Sequence, residues 1–437
     1  MQCGHRGVFP WVLSSQKWPA SSPTPYAMQH GASREICIDD DLGSLMESAG
    51  EQEPDVDVDP EDALIVVYTS GTTGFPKGAV ISHRAMVARA ALFHLCIGGD
   101  KDDAFIAWSG MFHMAGADFC VGTLLLGGRV VVVDGLDFPA IADAVAKYPV
   151  SYLGLQPGMV RRVVEYFEAN NVVPKRIKAI GAMADLVAPT DLADVTRTLR
   201  SPYLNTFGST ETGMAPASAG LLAIGEVPDR LSKRETPLTL VRLIDEDGRD
   251  VGFDTPGECL VRSPALFSGY WKDEGATCRA FEGGWYHTGD VLTRHADGSF
   301  DYVERKSSMI KSGGENIYPA EIERVLLCDV RVTEACVVGA PDEKWGEVPV
   351  AFVARTDESF DSECALRLCR ASLAGFKKPR EVHFVESSWF PRSASGKIVR
   401  KEVKKKYPEL LSSEKKSGRS AATGRQLIPK GAICFLA

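Results

Sequence analysis

The sequence is short of basic residues, of paired metal ligands and of long apolar runs. Lysine plus arginine comes to 49 against 58 acids, a formal net charge of −9. A surface of that sign cannot displace counterions from a phosphate backbone, which excludes a general nucleic-acid binder. The 11 cysteines are scattered, odd in number and without a CxxC pair. Neither a disulfide framework nor a zinc site is expected, and a reducing, cytoplasmic setting is the simpler reading. The eight histidines show no HxxxH spacing, so the metalloprotease helix is excluded. No apolar run reaches the roughly 18 residues that span a bilayer, so no integral membrane segment is expected. The richest run, Val121 to Val133, is broken by Gly127, Gly128 and Arg129. The first 35 residues lack a continuous apolar stretch, and no secretory signal is read there. The chain closes on Cys434-Phe435-Leu436-Ala437, a formal prenylation box whose aromatic second position makes chance the better account.

What is present fits a large α/β protein. A chain of 437 residues makes two or three domains. Residues 1–62 read as an irregular lead-in followed by an acidic linker, with eight acids and no base between Glu47 and Asp62. From Ala63 short apolar runs alternate with helical stretches: a strand at 63–68 buried on both faces, a helix from His83, a buried strand at 130–133, then 138–147, 151–155, 160–170, 177–180, 191–199 and 203–207 in alternation. Strand after helix implies crossover connections and a mostly parallel sheet covered on both faces. After about residue 235 short strands separated by Asp-Gly turns indicate a β subdomain. The expected division is a large domain over 63–304, a smaller α+β domain over 305–411 and a basic tail over 412–437.

Thr69-Ser70-Gly71-Thr72-Thr73-Gly74-Phe75-Pro76-Lys77-Gly78 follows the first strand. Three glycines let backbone amides approach an anion, and hydroxyls and one lysine suit a triphosphate. It is not a Walker A loop, since GxxxxGK[ST] is absent.

The string Tyr68 to Gly78 resembles the signature of the adenylate-forming (AMP-binding) superfamily, which holds acyl- and aryl-CoA synthetases, peptide-synthetase adenylation domains and luciferases. Further resemblances follow in the family's order. They are Asn205-Thr206-Phe207-Gly208-Ser209-Thr210-Glu211, Trp285 to Asp290 (WYHTGD), Glu304-Arg305-Lys306, Ile310 to Ile317 (IKSGGENI) and Pro391 to Lys397 (PRSASGK). The resemblance implies a large domain with a mobile small one. It also implies ATP-dependent activation of a fatty or aryl acid, with Mg²⁺, and transfer of the acyl group to CoA. Thr69, Ser70, Gly71, Thr72, Thr73, Gly74 and Lys77 would hold the leaving pyrophosphate. Thr210 would donate to the α-phosphate and Glu211 would place the metal. Gly181, Ala182, Asn205, Phe207 and Gly208 would border the adenosine, and Asp290 and Arg305 the ribose. Lys397 would neutralise charge as the acyl-adenylate forms, and Lys311, Gly313 and Gly314 would turn inward for the thioester step. His113, Gly154, Met183 and Met214 are expected pocket walls.

Three positions depart from the family pattern: Phe207 replaces a tyrosine, Ser307 stands at the hinge, and only 67 residues precede Tyr68. The last leads to the expectation of a large domain incomplete at its start and an impaired enzyme. Two other readings stay open: an adenylating enzyme that loads a carrier protein, and a non-catalytic nucleotide binder.

Overall fold

The structure is a computed structural model that describes residues 11–14, 34–37, 42–50, 52, 55–69, 77–313, 315–392 and 398–416. Ser70, Gly71, Thr72, Thr73, Gly74, Gly314, Lys397 and the Cys434 box lie outside the described residues. The chain opens with two short parallel strands, β1 (Trp11–Ser14) and β2 (Arg34–Cys37), and a helix, α1 (Leu42–Ser48). Strands β3 (Ala63–Thr69) and β4 (Lys77–Ser82) then pair antiparallel, with Thr69 opposite Lys77. Ser82 Oγ accepts from Ala85 N at 3.2 Å and starts α2 (His83–Ile97), which Gly98 ends in the left-handed conformation at φ 76°.

The alternation follows. Strand β5 (Ala104–Ala107) is followed by α3 (Met114–Leu125), β6 (Arg129–Val132), α4 (Phe138–Lys147) and β7 (Pro149–Gly154). Then come α5 (Val160–Ala169), β8 (Arg176–Gly181), α6 (Pro189–Leu199), β9 (Tyr203–Leu204) and β10 (Leu221–Leu222). The six strands lie in the order β10-β9-β8-β7-β5-β6, parallel except for β10. Side chains alternate across this sheet. Ile106, Leu153, Ile180 and Tyr203 join one core with Val145, Val163, Phe167 and Val195. Phe105, Tyr152, Ala179 and Leu204 join the other, with Phe93 and Phe119. Helix α5 shows why it packs: Val160, Val163, Val164 and Phe167, one face of a 3.6-residue period, are all buried.

Strands β11 (Leu240–Ile244) and β12 (Pro256–Arg262) lead through β13 (Gly269–Tyr270) and α7 (Glu274–Ala280) to β14 (Tyr286–Arg294) and β15 (Phe300–Arg305). Strands β11, β12, β14 and β15 make an antiparallel sheet, while β13 joins β4 and β3. The small domain holds β16 (Ile310–Ser312), β17 (Glu315–Ile317), α8 (Pro319–Leu326), β18 (Val332–Asp342) and β19 (Gly346–Arg355). It is completed by α9 (Ser362–Ser372), β20 (Glu381–Phe384) and α10 (Arg400–Lys416). One face of its sheet is covered by Ile322, Leu326, Leu366 and Cys369, the other by Phe390 and Val403.

Several expectations are corrected. Strand β3 is the edge of a three-stranded antiparallel sheet, and only its Val67 is fully buried. Strand β6 is likewise an edge, with Val132 76% exposed. The lead-in contains β1, β2 and α1, and α10 extends past residue 412. Helix α3, helix α7 and strand β14 were not foreseen. No described helix is long and apolar enough to cross a membrane.

Candidate active site

The turn at 205–213 is built by close backbone contacts. A Cβ on Gly208 would lie 1.9 Å from the Gly213 carbonyl oxygen, so no other residue fits. Ser209 N donates to Thr212 Oγ1 at 2.9 Å, and that hydroxyl donates to the Ala215 carbonyl at 2.6 Å. Thr210 and Glu211 are left half-buried at the tip. Tyr270 donates its hydroxyl to Glu211 Oε1 at 3.0 Å, and Lys77 Nζ stands 4.9 Å from the Tyr270 ring centre. Burial and the Glu211 charge push the Tyr270 phenol far above its ordinary value, so it stays a donor.

Asp290 and Arg305 face each other across β14 and β15, and Arg305 Nε meets Asp290 Oδ1 at 2.7 Å. Asp290 is only 4% exposed. Burial raises its pKa to about 6; Arg305 opposes this, and Glu304 and Glu211 add to it. Phe207 is buried with its ring 5.4 Å from that of Tyr302. The chain thus brings Lys77, Thr210, Glu211, Phe207, Asp290 and Arg305 to one place.

The residues expected to border the adenosine and the acid are held by hydrogen bonds of their own. Asn205 is 2% exposed; its Oδ1 accepts from Ala184 N at 2.9 Å and its Nδ2 donates to Leu231 O at 2.8 Å. These two bonds make Asn205 a clamp between the segment after Gly181 and the stretch around Leu231. The segment from Gly181 is pinned again by Tyr152, whose hydroxyl donates to Gly181 O, and by Tyr203, whose hydroxyl accepts from Ala182 N at 3.1 Å. Two residues after the half-buried Met183, Asp185 meets the fully buried Lys233 Nζ at 2.5 Å. Trp108 Nε1 donates to Gly154 O at 3.0 Å. His113 is the N-cap of α3, its Nδ1 accepting from Ala115 N at 3.2 Å. Met214 lies in the core with Phe119 and Tyr152. Its side chain packs beside the sheet with those two rings.

On the small domain, Lys311 Nζ reaches Glu246 at 3.1 Å with both groups exposed, and Gly313 donates its N–H to Trp345 O at 2.8 Å. Sequence reasoning missed Tyr270, Tyr302, Lys233 and Arg400. Arg400 Nη2 donates to both carboxylate oxygens of Glu323 at 2.7 and 2.8 Å, and its Nη1 donates to Glu304 Oε1 at 3.1 Å. None sits in a string of its own that could have announced it, except Arg400, three residues past the PRSASGK string.

The AMP-binding enzyme family matches residues 12–271, and the AMP-binding enzyme C-terminal domain matches 321–397. The chain belongs to this family. A 2-succinylbenzoate–CoA ligase of Bacillus cereus is 34% identical over 351 residues, covering 80% of this chain and 71% of its own. The acid–CoA ligase, working through an acyl-adenylate, is therefore the type to which this chain belongs. Its fold is that of ATP-bound MatB from Rhodopseudomonas palustris, with a TM-score of 0.75, 24% identity and coverage of 88% and 76%. It is also that of o-succinylbenzoate CoA synthetase from Bacillus subtilis in complex with its acyl-adenylate, with a TM-score of 0.75, 24% identity and coverage of 95% and 79%.

Proposed function

We propose that this ligase activates a fatty or aryl acid with ATP, and that the residues gathered at the Thr210 turn do the work. The observation that carries the reading is the pairing of Tyr270 with Glu211 beside Arg305 with Asp290. Two carboxylates are thereby set at fixed places, one toward the phosphates and one toward the ribose. In the first step a carboxylate oxygen of the acid attacks the α-phosphorus; the new O–P bond forms as the bond to the β-phosphate oxygen breaks. Lys77 takes charge from the departing pyrophosphate, and the Thr210 hydroxyl donates to the α-phosphate. Asp290, acceptor-only when ionised, takes both ribose hydroxyls. Phe207 and Tyr302 supply an apolar wall for the purine.

Mg²⁺ fits this end of the site: a hard cation that keeps its waters takes one carboxylate, here Glu211, with phosphate oxygens, and would neutralise charge on the leaving group. In the second step the CoA sulfur attacks the acyl carbon, the bond to AMP breaks and the thiol proton goes to solvent. Lys397 belongs to the first step and Lys311, Gly313 and Gly314 to the second. His113, Gly154 and Met183 border the acid.

The test is pyrophosphate exchange with a panel of 2-succinylbenzoate, malonate, benzoate and fatty acids, followed by thioester formation. Exchange with one acid class and transfer to CoA is expected. Transfer only to a phosphopantetheinyl carrier protein would replace CoA as the acceptor. Measurable ATP binding without exchange for any acid would leave a nucleotide-binding protein.

A further inference from the structure

Arg89 on α2 is 3% exposed. A guanidinium so deep needs partners for its N–H groups, and this one divides its fork among three segments distant in sequence. Nη1 donates to both carboxylate oxygens of Asp118 on α3, at 3.1 and 2.9 Å. Nε donates to the Ala265 carbonyl at 3.0 Å, and Nη2 donates to the Thr210 carbonyl at 3.0 Å. The next peptide is held from the other side, since Phe267 N donates to Glu211 O at 2.8 Å. The turn also rests on the arginine stem: a Cβ on Gly213, at φ +64°, would lie 3.0 Å from Arg89 Cγ. Neither Arg89 nor Asp118 belongs to any of the site strings.

We propose that Arg89 is a positioning residue for acyl-adenylate formation. It fixes the Thr210 carbonyl, and so sets where the Thr210 hydroxyl meets the α-phosphate, while Asp118 keeps the guanidinium aimed. This rests on the role given to Thr210 above. A donor displaced by about 1 Å can cost roughly a hundredfold in rate. Lysine at this place could still pair with Asp118 but, as a point charge, cannot fork to Thr210 and Ala265 as well.

The experiment compares Arg89→Lys, Thr210→Ala and the double variant of the full chain, by pyrophosphate exchange at saturating acid together with thermal melting. Arg89→Lys should lower the exchange kcat about tenfold to a hundredfold, with KM for ATP within about threefold. On the Thr210→Ala background the same change should cost less than about threefold, because what Arg89 positions is gone. A structural role would instead reduce folded enzyme by the same factor in both backgrounds. The proposal is overturned if Arg89→Lys keeps kcat within about threefold, or if its cost is equal in the two backgrounds. If Arg89→Lys does not fold, Arg89→Gln replaces it under the same criteria; failure of both to fold makes Arg89 a folding element and ends the proposal. Thr210→Ala with unchanged exchange would show that the reading of Thr210 failed, and the proposal falls with it.

Discussion

Asp290 is a carboxylate that the fold holds at a cost. Its pKa rises from 3.8 to about 6 because it is buried. The folded protein therefore binds its proton more readily than the unfolded chain does. Above about pH 6 the buried ionised group costs on the order of 3 kcal/mol of stability, and this cost is relieved as pH falls from about 6 toward 3.8. In the proposed ribose role, function runs the other way, since only the ionised form would accept from both hydroxyls. Wild type should bind ATP about tenfold more tightly than Asp290→Asn at pH 7.5, and the difference should shrink to about twofold by about pH 5. Calorimetric titration of both proteins across that range cancels the nucleotide's own titration. A ratio that does not change with pH would remove Asp290 from the ribose. At this scale the residues that sat inside contiguous strings could be picked out as candidates, and the fold pairs two of them, Asp290 and Arg305. Arg89 and Asp118, 29 positions apart, form their pair through the packing of two helices, and nothing local in either stretch encodes it.

The elements around the site are fastened by a second buried ion pair. Lys233 Nζ is fully buried against Asp185, and its backbone pairs with Phe300 at the start of β15. The pair bolts the turn after Met183 to the β subdomain. Removing one partner leaves a buried charge and typically costs about 3–5 kcal/mol, whereas replacing both by apolar groups is often neutral. Lys233→Met should therefore lower the urea midpoint strongly, and Lys233→Met with Asp185→Leu should recover most of it. Equal losses in the single and double variants would mean that the site needs the lysine stem and not the charge pair. The same distinction between local and distant explains the misread elements. An apolar run such as ALIVVY has the same composition in a two-faced strand as at the edge where β3 lies. Helix α3 is apolar over most of its length and carries two glycines, so periodicity did not separate it from strand. Strand β14 is interrupted by Gly289 at φ +70°. The amphipathic helices α4 and α5, with a clear wet face, were placed to within a residue.

At the scale of the molecule, the small domain is tied to β15 through Arg400, Glu323 and Glu304, while Ala320 N donates to Glu304 Oε2 at 2.9 Å. Arg392 and Ile398, on either side of the stretch that contains Lys397, pair as an antiparallel bridge. Lys397→Ala should lower adenylation about a hundredfold or more and spare thioester formation from supplied acyl-AMP; equal loss in both steps would sink the division of labour between the two faces of the small domain. The large domain meanwhile leaves apolar surface in water. Leu124 is 60% and Leu125 56% exposed at the end of α3, with Val87 and Leu95 of α2 and the edge residue Val132 also exposed. Exposed apolar side chains, and a strand edge with no neighbour among the described residues, both favour association. Helix α3 is capped at its start by His113, which the proposed function sets beside the acid, so Leu124 and Leu125 lie at the opposite end, beside the turn that enters β6. Charges placed there should leave the chemistry alone, because exposed positions tolerate substitution within about 0.5 kcal/mol. Leu124→Lys with Leu125→Glu should reduce concentration-dependent association in light scattering while keeping pyrophosphate exchange within about twofold. If the variant associates as readily as wild type, the cohesive surface lies elsewhere, and if it loses exchange, the end of α3 is coupled to the acyl site through the helix that His113 caps.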